Sequence, residues 1–211
     1  MKILIADDHA IVREGLKHIL LKLPDDLLIE ETSNGNEALA FIEREDYDFV
    51  ILDISLPGMS GLEILKKLKI QNNKTPILIL SMHPEEQFAI RALKSGAMGY
   101  VTKDRAGEDL LEAIMKISRG RKYVSPELAE YLASSLNVRS EDVPHQKLSE
   151  REFEIMVLLA KGISAKEIAE ALFISEKTVG THRFRIMEKM GMKKNTDLTF
   201  YAINHKLIDL F

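Results

Sequence analysis

Over the first 120 or so positions, apolar residues arrive in short uninterrupted runs. These are Ile3-Leu4-Ile5-Ala6, Leu27-Leu28-Ile29, Phe49-Val50-Ile51-Leu52, Ile77-Leu78-Ile79-Leu80 and a weaker Gly99-Tyr100-Val101. Runs of this length, rich in β-branched residues and without polar alternation, are expected of strands buried on both faces of a parallel sheet. The second run is the least marked, because Glu30 and Glu31 follow it. Between the runs lie amphipathic stretches of helical length at 10–22, 35–44, 61–70, 85–95 and 107–119. In the last of these, Leu110, Leu111, Ile114 and Ile117 recur at helical spacing along one face. Gly96 and Gly120 stand where a helix ends in a left-handed residue. Five strand–helix units in succession predict an α/β fold, a doubly wound five-stranded parallel sheet with strand order 2-1-3-4-5.

The pattern then changes. Residues 121–147 are expected to form a linker, with a short helix from Pro126 to Leu132 and a polar run up to Pro144. From 148 onward no strand signal remains. Ser149-Glu150-Arg151-Glu152 and Ser164-Ala165-Lys166-Glu167 both have the form of a capping box. Ser175 is placed to cap a third helix, 176–190, and Asn195 or Thr196 a fourth, 196–208. Gly162 and Gly191 sit at helix ends. The chain therefore divides into an α/β domain at 1–120, the linker, and an all-α four-helix domain at 148–211.

Composition narrows the chemistry. The 211 residues include no Cys, which rules out disulfides, thiolate catalysis and cysteine metal sites and suits a reducing cytosol. The apolar runs fall far short of the roughly 20 residues of a membrane span. No signal-peptide pattern opens the chain, so a cytoplasmic location is expected. The net charge of −4 argues against a wholly basic nucleic-acid binder, but its distribution is uneven. Residues 1–122 carry 17 Lys and Arg against 20 Asp and Glu, and residues 141–176 carry 4 against 8. Residues 177–206 reverse this, with 7 against 2, a local balance of +5. A short cationic stretch in an otherwise acidic chain is the footprint expected of phosphate contact.

In an open parallel sheet, ligands bind beyond the carboxyl ends of the strands. Here strand one runs into Asp7-Asp8, strand three into Asp53, strand four into Ser81, and strand five into Thr102-Lys103. In the order 2-1-3-4-5 those four strands are contiguous, so three carboxylates, a hydroxyl and an ammonium converge. Three clustered carboxylates call for a cation, and an oxygen-only set that leaves room for water suits Mg²⁺. A carboxylate beside Mg²⁺ is a nucleophile placed for phosphoryl transfer, with Lys103 and Ser81 able to hold phosphoryl oxygens. His9 is expected to be a surface residue of the loop leading to the first helix.

The segments Ile3-Leu4-Ile5-Ala6-Asp7-Asp8-His9, Asp53-Ile54-Ser55-Leu56-Pro57-Gly58-Met59-Ser60-Gly61 and Gly96-Ala97-Met98-Gly99-Tyr100-Val101-Thr102-Lys103 resemble the receiver domains of two-component signalling, which are flavodoxin-like. The resemblance covers the whole first domain. It implies that Asp53 accepts a phosphoryl group from a histidine kinase. It also implies that Asp8, Asp53 and the backbone carbonyl of Ser55 bind Mg²⁺, with Asp7 acting through water. It further implies that Ser81 and Tyr100 are switch residues, Tyr100 swinging inward on phosphorylation. The protein would then lose its own phosphoryl group slowly and would not be a turnover enzyme.

In the last domain, the turn Leu172-Phe173-Ile174 joins a small-residue helix to a basic one, as in a helix-turn-helix. Helix 176–190 has an apolar face (Val179, Ile186, Met190) and a polar or basic one with Lys177, Thr178, Thr181, His182, Arg183, Arg185 and Lys189 as expected DNA-binding residues. The segment from Leu148 through Gly162-Ile163-Ser164-Ala165-Lys166-Glu167-Ile168-Ala169 to Ser175-Glu176-Lys177-Thr178-Val179 and His182-Arg183 resembles the LuxR-type domain of the NarL/FixJ class of response regulators. It departs at Gly180, commonly Lys in that family, and at Phe184, where a polar residue is common. The last helix, with Leu198, Tyr201 and Ala202, can be read as core alone; the resemblance instead implies double-stranded promoter DNA as a partner and a homodimer, with these three as dimerisation residues. Two other classes share parts of the pocket. A haloacid-dehalogenase-like phosphohydrolase would place D-x-D after strand one, where this chain has adjacent Asp7-Asp8, and would turn over small phosphomonoesters. A flavodoxin-like FMN carrier would need a hydroxyl-rich loop there, and the acidic pair would repel the phosphate.

Overall fold

The structure, a computed structural model, describes residues 1–23, 26–83, 85–135, 144–205 and 207–208. The chain forms two compact units, and the division between them falls within 136–143, outside the described residues.

In the first unit, strands β1 (Lys2–Ala6), β2 (Leu28–Thr32), β3 (Phe49–Asp53), β4 (Ile77–Ser81) and β5 (Gly99–Thr102) alternate with helices α1 (Ala10–Leu20), α2 (Gly35–Arg44), α3 (Gly61–Ile70), α4 (Glu85–Ser95) and α5 (Ala106–Ile117). All strand pairs are parallel, in the order β2-β1-β3-β4-β5. β3 and β4 are buried at every position, as their unbroken apolar runs require. Alternation along each strand sends Ile3, Ile5, Phe49, Ile51, Leu78, Leu80 and Val101 to one face, where they pack with Leu16 and Leu20 of α1 and Leu110, Ile114 and Ile117 of α5. Leu4, Val50, Leu52, Ile79 and Tyr100 belong to the opposite face and are equally buried.

β2 extends past its apolar run to include Glu30 and Glu31. It is an edge strand, and both carboxylates find partners. Glu31 meets Arg13 at 3.0 Å and Lys17 at 2.8 Å. Glu30 accepts from the Tyr47 hydroxyl and pairs with Lys2 at 3.3 Å. Paired on the exposed side, acidic residues do not interrupt an edge strand.

The expected first-domain boundary at 120 and the linker reading of the next residues need revising. The segment after α5 turns back onto the sheet. Tyr123 is in the core, and its amide donates to Met98 O at 2.8 Å. Helix α6 (Pro126–Ser135) follows, three residues longer than expected. Its cap residue Ser125 is fully buried, hydrogen-bonds the buried Glu85 of α4 through its hydroxyl, and accepts from Leu128 N at 3.1 Å. Arg105 and Glu127 add an ion pair at 2.9 Å. α6 thus belongs to the first unit, and only 136–143 of the expected linker lies outside the described residues.

The second unit has a 3₁₀ turn (Pro144–Lys147), then α7 (Glu150–Ala160), α8 (Ala165–Ala171), α9 (Glu176–Met190) and α10 (Asn195–Asn204). Both expected capping boxes form, Ser149 with Glu152 and Ser164 with Glu167, and Ser175 caps α9. The core is built from Phe153, Ile155, Met156 and Val157 of α7, Ile168 of α8, Val179 and Ile186 of α9, and Leu198 and Ala202 of α10.

Candidate functional site

Strand register brings the acidic residues together in the first unit. Ala6 lies level with Leu52, Asp53 with Leu80, and Ser81 with Thr102, so the four strand ends finish side by side. Lys103 Nζ sits 2.8 Å from Asp53 Oδ2 and 2.7 Å from Asp7 Oδ2, and its amide donates to Ser81 O at 2.8 Å. Asp53 is 2% exposed, Asp7 1% and Ser81 0%. Ser55 N donates to Asp53 Oδ1 at 3.3 Å, which fixes the carboxylate plane from the other side.

Burial is the largest influence on Asp53 and pushes its pKa up. The Lys103 charge opposes this, the Asp7 charge reinforces it, and the carboxyl ends above its ordinary value. Burial works to lower the pKa of Lys103, but Asp53 and Asp7 outweigh it and hold the ammonium above its usual range. The pocket therefore holds one firmly charged cation among carboxylates that its single charge cannot balance.

Ligand atoms of Asp7, Asp8, His9 and Asp53 lie within 4.8 Å of one another. Asp7 Oδ2 and Asp8 Oδ1 are buried without an aligned hydrogen bond, and their close polar neighbours are cationic or basic, Lys103 Nζ at 2.7 Å and His9 Nδ1 at 2.8 Å. That donor set fits a hard divalent cation. The expectation of an oxygen-only set needs one amendment, because His9 Nδ1 lies in the same group, 2.8 Å from Asp8 Oδ1 and 3.3 Å from Asp7 Oδ1. Its ring is otherwise largely exposed, in keeping with the expected loop position.

His83 was not singled out by the sequence, having no periodic or spacing signal, yet it connects the site. Its amide donates to Ser81 Oγ at 3.2 Å and its Nε2 lies 3.3 Å from Ser55 Oγ. The hydroxyl of the fully buried Tyr100 donates to His83 O at 2.7 Å. Tyr100 points inward, and the two residues expected to be switches, Ser81 and Tyr100, both hydrogen-bond the backbone of His83 just after β4. Gly61 lies against the backbone of Asp53 and Ile54, its amide donating to Ile54 O at 2.9 Å. A Cβ there would come within 2.3 Å of the carbonyl oxygen of Asp53 itself.

In the second unit, α8 and α9 are joined by a turn whose Phe173 takes a left-handed conformation, φ 52°. The buried side of α9 is Val179, Ile186, Met187 and Met190. Of the expected DNA-binding residues, Lys177, Thr181 and Arg185 are exposed, and Thr178, His182 and Arg183 are half-buried. Arg183 Nε donates to Asn195 Oδ1 at 2.9 Å. Lys189 is also exposed, but its ammonium pairs with the buried Glu152 at 2.6 Å, so part of its charge serves the fold. The dimerisation residues need a sharper correction. Leu198 and Ala202 are 0% exposed in the domain core, and Tyr201 is half-buried with its hydroxyl 2.8 Å from His145 Nδ1. The outward side of α10 is instead Phe200, 71% exposed, with Ile203 and Asn204 beside it. Among the described residues, no helix is long and apolar enough to cross a membrane.

Comparison with known proteins agrees with both units. Residues 3–115 match the response regulator receiver domain family, and residues 146–202 match the bacterial regulatory proteins of the luxR family. The chain is 38% identical to the oxygen regulatory protein NreC of Staphylococcus carnosus, over 99% of this chain and 100% of that one. It is 39% identical to NreC of Staphylococcus haemolyticus over the same shares. Among solved structures, RcsB of Salmonella enterica serovar Typhimurium, bound to promoter P1flhDC in the presence of phosphomimetic BeF3⁻, is similar over 96% of this chain and 97% of that one, with 26% identity and a TM-score of 0.59. A LuxR-family two-component response regulator from Aurantimonas sp. is similar over 64% of this chain and 96% of that one, with 34% identity and a TM-score of 0.58.

Proposed function

The chain belongs to the response regulators that join a receiver domain to a LuxR-type DNA-binding domain, and we propose that phosphorylation of its Asp53 controls how it binds promoter DNA. The observation that carries this reading is the buried Asp53 carboxylate, 2.8 Å from the Lys103 ammonium and beside two further carboxylates. A carboxylate oxygen of Asp53 attacks the phosphorus of a phosphohistidine on a partner kinase. The P–O bond forms as the P–N bond breaks, and the imidazole leaves with a proton. Lys103 and the Ser81 hydroxyl hold the phosphoryl oxygens. Mg²⁺ held by Asp8, Asp53 and the Ser55 carbonyl, with Asp7 through water, would neutralise charge on the incoming group.

Phosphorylation adds roughly −1.5 to −2 charge at Asp53. Ser81 answers by turning its hydroxyl toward the phosphoryl group, releasing the His83 amide, and Tyr100 keeps the inward position in which it holds His83 O. The segment after β4 is thereby biased, and with it α4. Promoter DNA is contacted by α9 through Lys177, Thr178, Thr181, His182, Arg183 and Arg185, with the phosphates supplying most of the affinity. Support comes from the relative RcsB, solved on promoter DNA with a phosphomimetic. A homodimer forms on DNA through the outward side of α10 at Phe200, Ile203 and Asn204, while Leu198 and Ala202 hold that helix from behind.

The direct test is phosphoryl transfer to the full-length chain from labelled acetyl phosphate with Mg²⁺. One acid-stable, hydroxylamine-labile phosphoryl group per chain is expected, and none on Asp53→Ala. Labelling of Asp53→Ala equal to wild type would refute Asp53 as acceptor, and continuous phosphate release with multiple turnovers would favour a phosphohydrolase.

A further inference from the structure

We infer that Phe184 reads thymine methyl groups in the major groove, and that Gly180, one turn earlier on α9, leaves the helix room to come close enough for it to do so. This rests on the proposed DNA-binding role of α9 and adds a base preference to it.

Phe184 is 70% exposed in the middle of a 15-residue helix. The domain's own packing makes little use of it. The core face is taken by Val179, Ile186, Met187 and Met190, and helical periodicity places Lys177, Thr181, Phe184, Arg185 and Glu188 on the other side. A large aromatic left in water forgoes the stabilisation that burial would give it, so its position suits a partner. Gly180 gives the same indication. A Cβ built there would meet nothing within 4 Å, and its φ is not positive, so neither space nor backbone conformation calls for glycine. A mid-helix Gly nonetheless costs the helix about 1 kcal/mol against Ala. What it supplies is a gap on the helix surface one turn before the exposed ring.

Charge selects the partner. Exposed Lys177 and Arg185 flank Phe184 on α9, and Lys193 and Lys194 lie just beyond the helix, in the segment 177–206 whose local balance is +5. A cationic protein, or the same basic face of a second copy, would be repelled from this face, whereas a polyanion is drawn to it. Within a DNA major groove, the apolar group a phenylalanine can bury against is the C5-methyl of thymine. Arg185 and Lys177 then supply the phosphate or guanine contacts on either side. Phe184 is assigned as a specificity-determining residue whose contribution is separable from the electrostatic part of binding.

The test uses the phosphorylated full-length chain and a site obtained by selection from a random double-stranded DNA pool. The selected site is then resynthesised with deoxyuridine at each thymine in turn, which removes the methyl group and leaves every hydrogen-bonding atom in place. Wild type is expected to lose about fourfold in affinity for each contacted methyl, the worth of one buried methyl group. Phe184→Ala should bind thymine and deoxyuridine sites equally, with an unchanged salt slope because no charge is altered. Gly180→Leu should also lose the discrimination, although its helix is more stable. Circular dichroism melting of both variants shows whether the domain is folded. Equal binding of thymine and deoxyuridine sites by wild type would overturn the inference and leave DNA binding by α9 intact. Discrimination that persists in Phe184→Ala would overturn it too. Failure of wild type to bind any DNA would overturn the proposed function itself, and the inference with it.

Discussion

Single side chains here do different work from their neighbours of the same type, and packing decides which. Lys103 and Lys189 are both cations on or near a functional face. Lys103 is sunk between Asp7 and Asp53, 2.7 and 2.8 Å away, and occupies space that a divalent cation would share. Replacing it by Met should therefore raise Mg²⁺ affinity, by about tenfold or more given the strength of Coulomb repulsion at these distances, and abolish the response of DNA binding to phosphorylation. Calorimetric titration with Mg²⁺ checks the first part. Lys189 instead satisfies the buried Glu152. Burial works against the Glu152 charge, but Lys189 and the Ser149 cap outweigh it and hold the carboxyl below its ordinary value. A depressed carboxylate contributes stability above its unfolded pKa of about 4.3, and loses it as pH falls through the folded value. The second unit should accordingly lose stability in acid below about pH 4, and Lys189→Met should flatten that dependence in pH-resolved denaturation. Gly180 allows a simpler test. With open space where its Cβ would be, Gly180→Ala should stabilise the second unit by about 1 kcal/mol, a rise in melting temperature of roughly 5 °C. The acidic pocket was legible from sequence because strand ends are short-range features and the parallel order does the rest. The pairing of Lys189 with Glu152 was not, since Lys177 and Lys189 look alike until α7 supplies a buried carboxylate.

Elements show the same division between what local pattern reveals and what only packing decides. Continuous apolar runs marked β1, β3 and β4, and capping boxes marked the starts of α7 and α8 to the residue. The extent of β2 was obscured by Glu30 and Glu31, whose ion pairs with residues distant in sequence make them compatible with an edge strand. α6 was read as part of a linker because its neighbourhood is rich in small and polar residues. What ties it down, the Ser125–Glu85 bond and the Tyr123 side chain, spans long sequence separations. Glu85 opens α4, directly after the segment that Ser81 and Tyr100 grip through His83. Ser125→Ala removes both a helix cap and a buried hydrogen bond, so the first unit should lose about 1–3 kcal/mol in denaturant unfolding. A loss within error would mean that α6 is not held by this contact. In α10 the resemblance implied a dimer contact at Leu198, Tyr201 and Ala202, where the residues alone also allowed a core role, and Leu198 and Ala202 are spent on the domain core. Phe200→Ala, by contrast, should weaken dimerisation on DNA while leaving the melting temperature of the second unit nearly unchanged, as measured by sedimentation of the DNA complex.

For the whole molecule, the proposed function divides one task between a receiver unit that senses charge and a LuxR-type unit that binds DNA. Binding through exposed Lys and Arg should fall steeply with salt, and Arg185→Ala should reduce the slope of log affinity against log salt by about one, whereas Lys189→Ala should not. For the sensor to govern the reader, phosphorylation must shift a conformational balance, and moving it from 1:99 to 99:1 needs about 5.5 kcal/mol of differential interaction. A new dianion bound by Lys103 and Ser81 is of the right kind to provide a large part of it. The most direct measurement is the affinity of the full-length chain for a promoter fragment, with and without acetyl phosphate plus Mg²⁺, in wild type and in Asp53→Ala. Control by Asp53 predicts that phosphorylation strengthens binding by wild type at least tenfold, an effect of about 1.4 kcal/mol or more, and leaves Asp53→Ala unchanged at its weaker value. Equal affinity in all four conditions would contradict it.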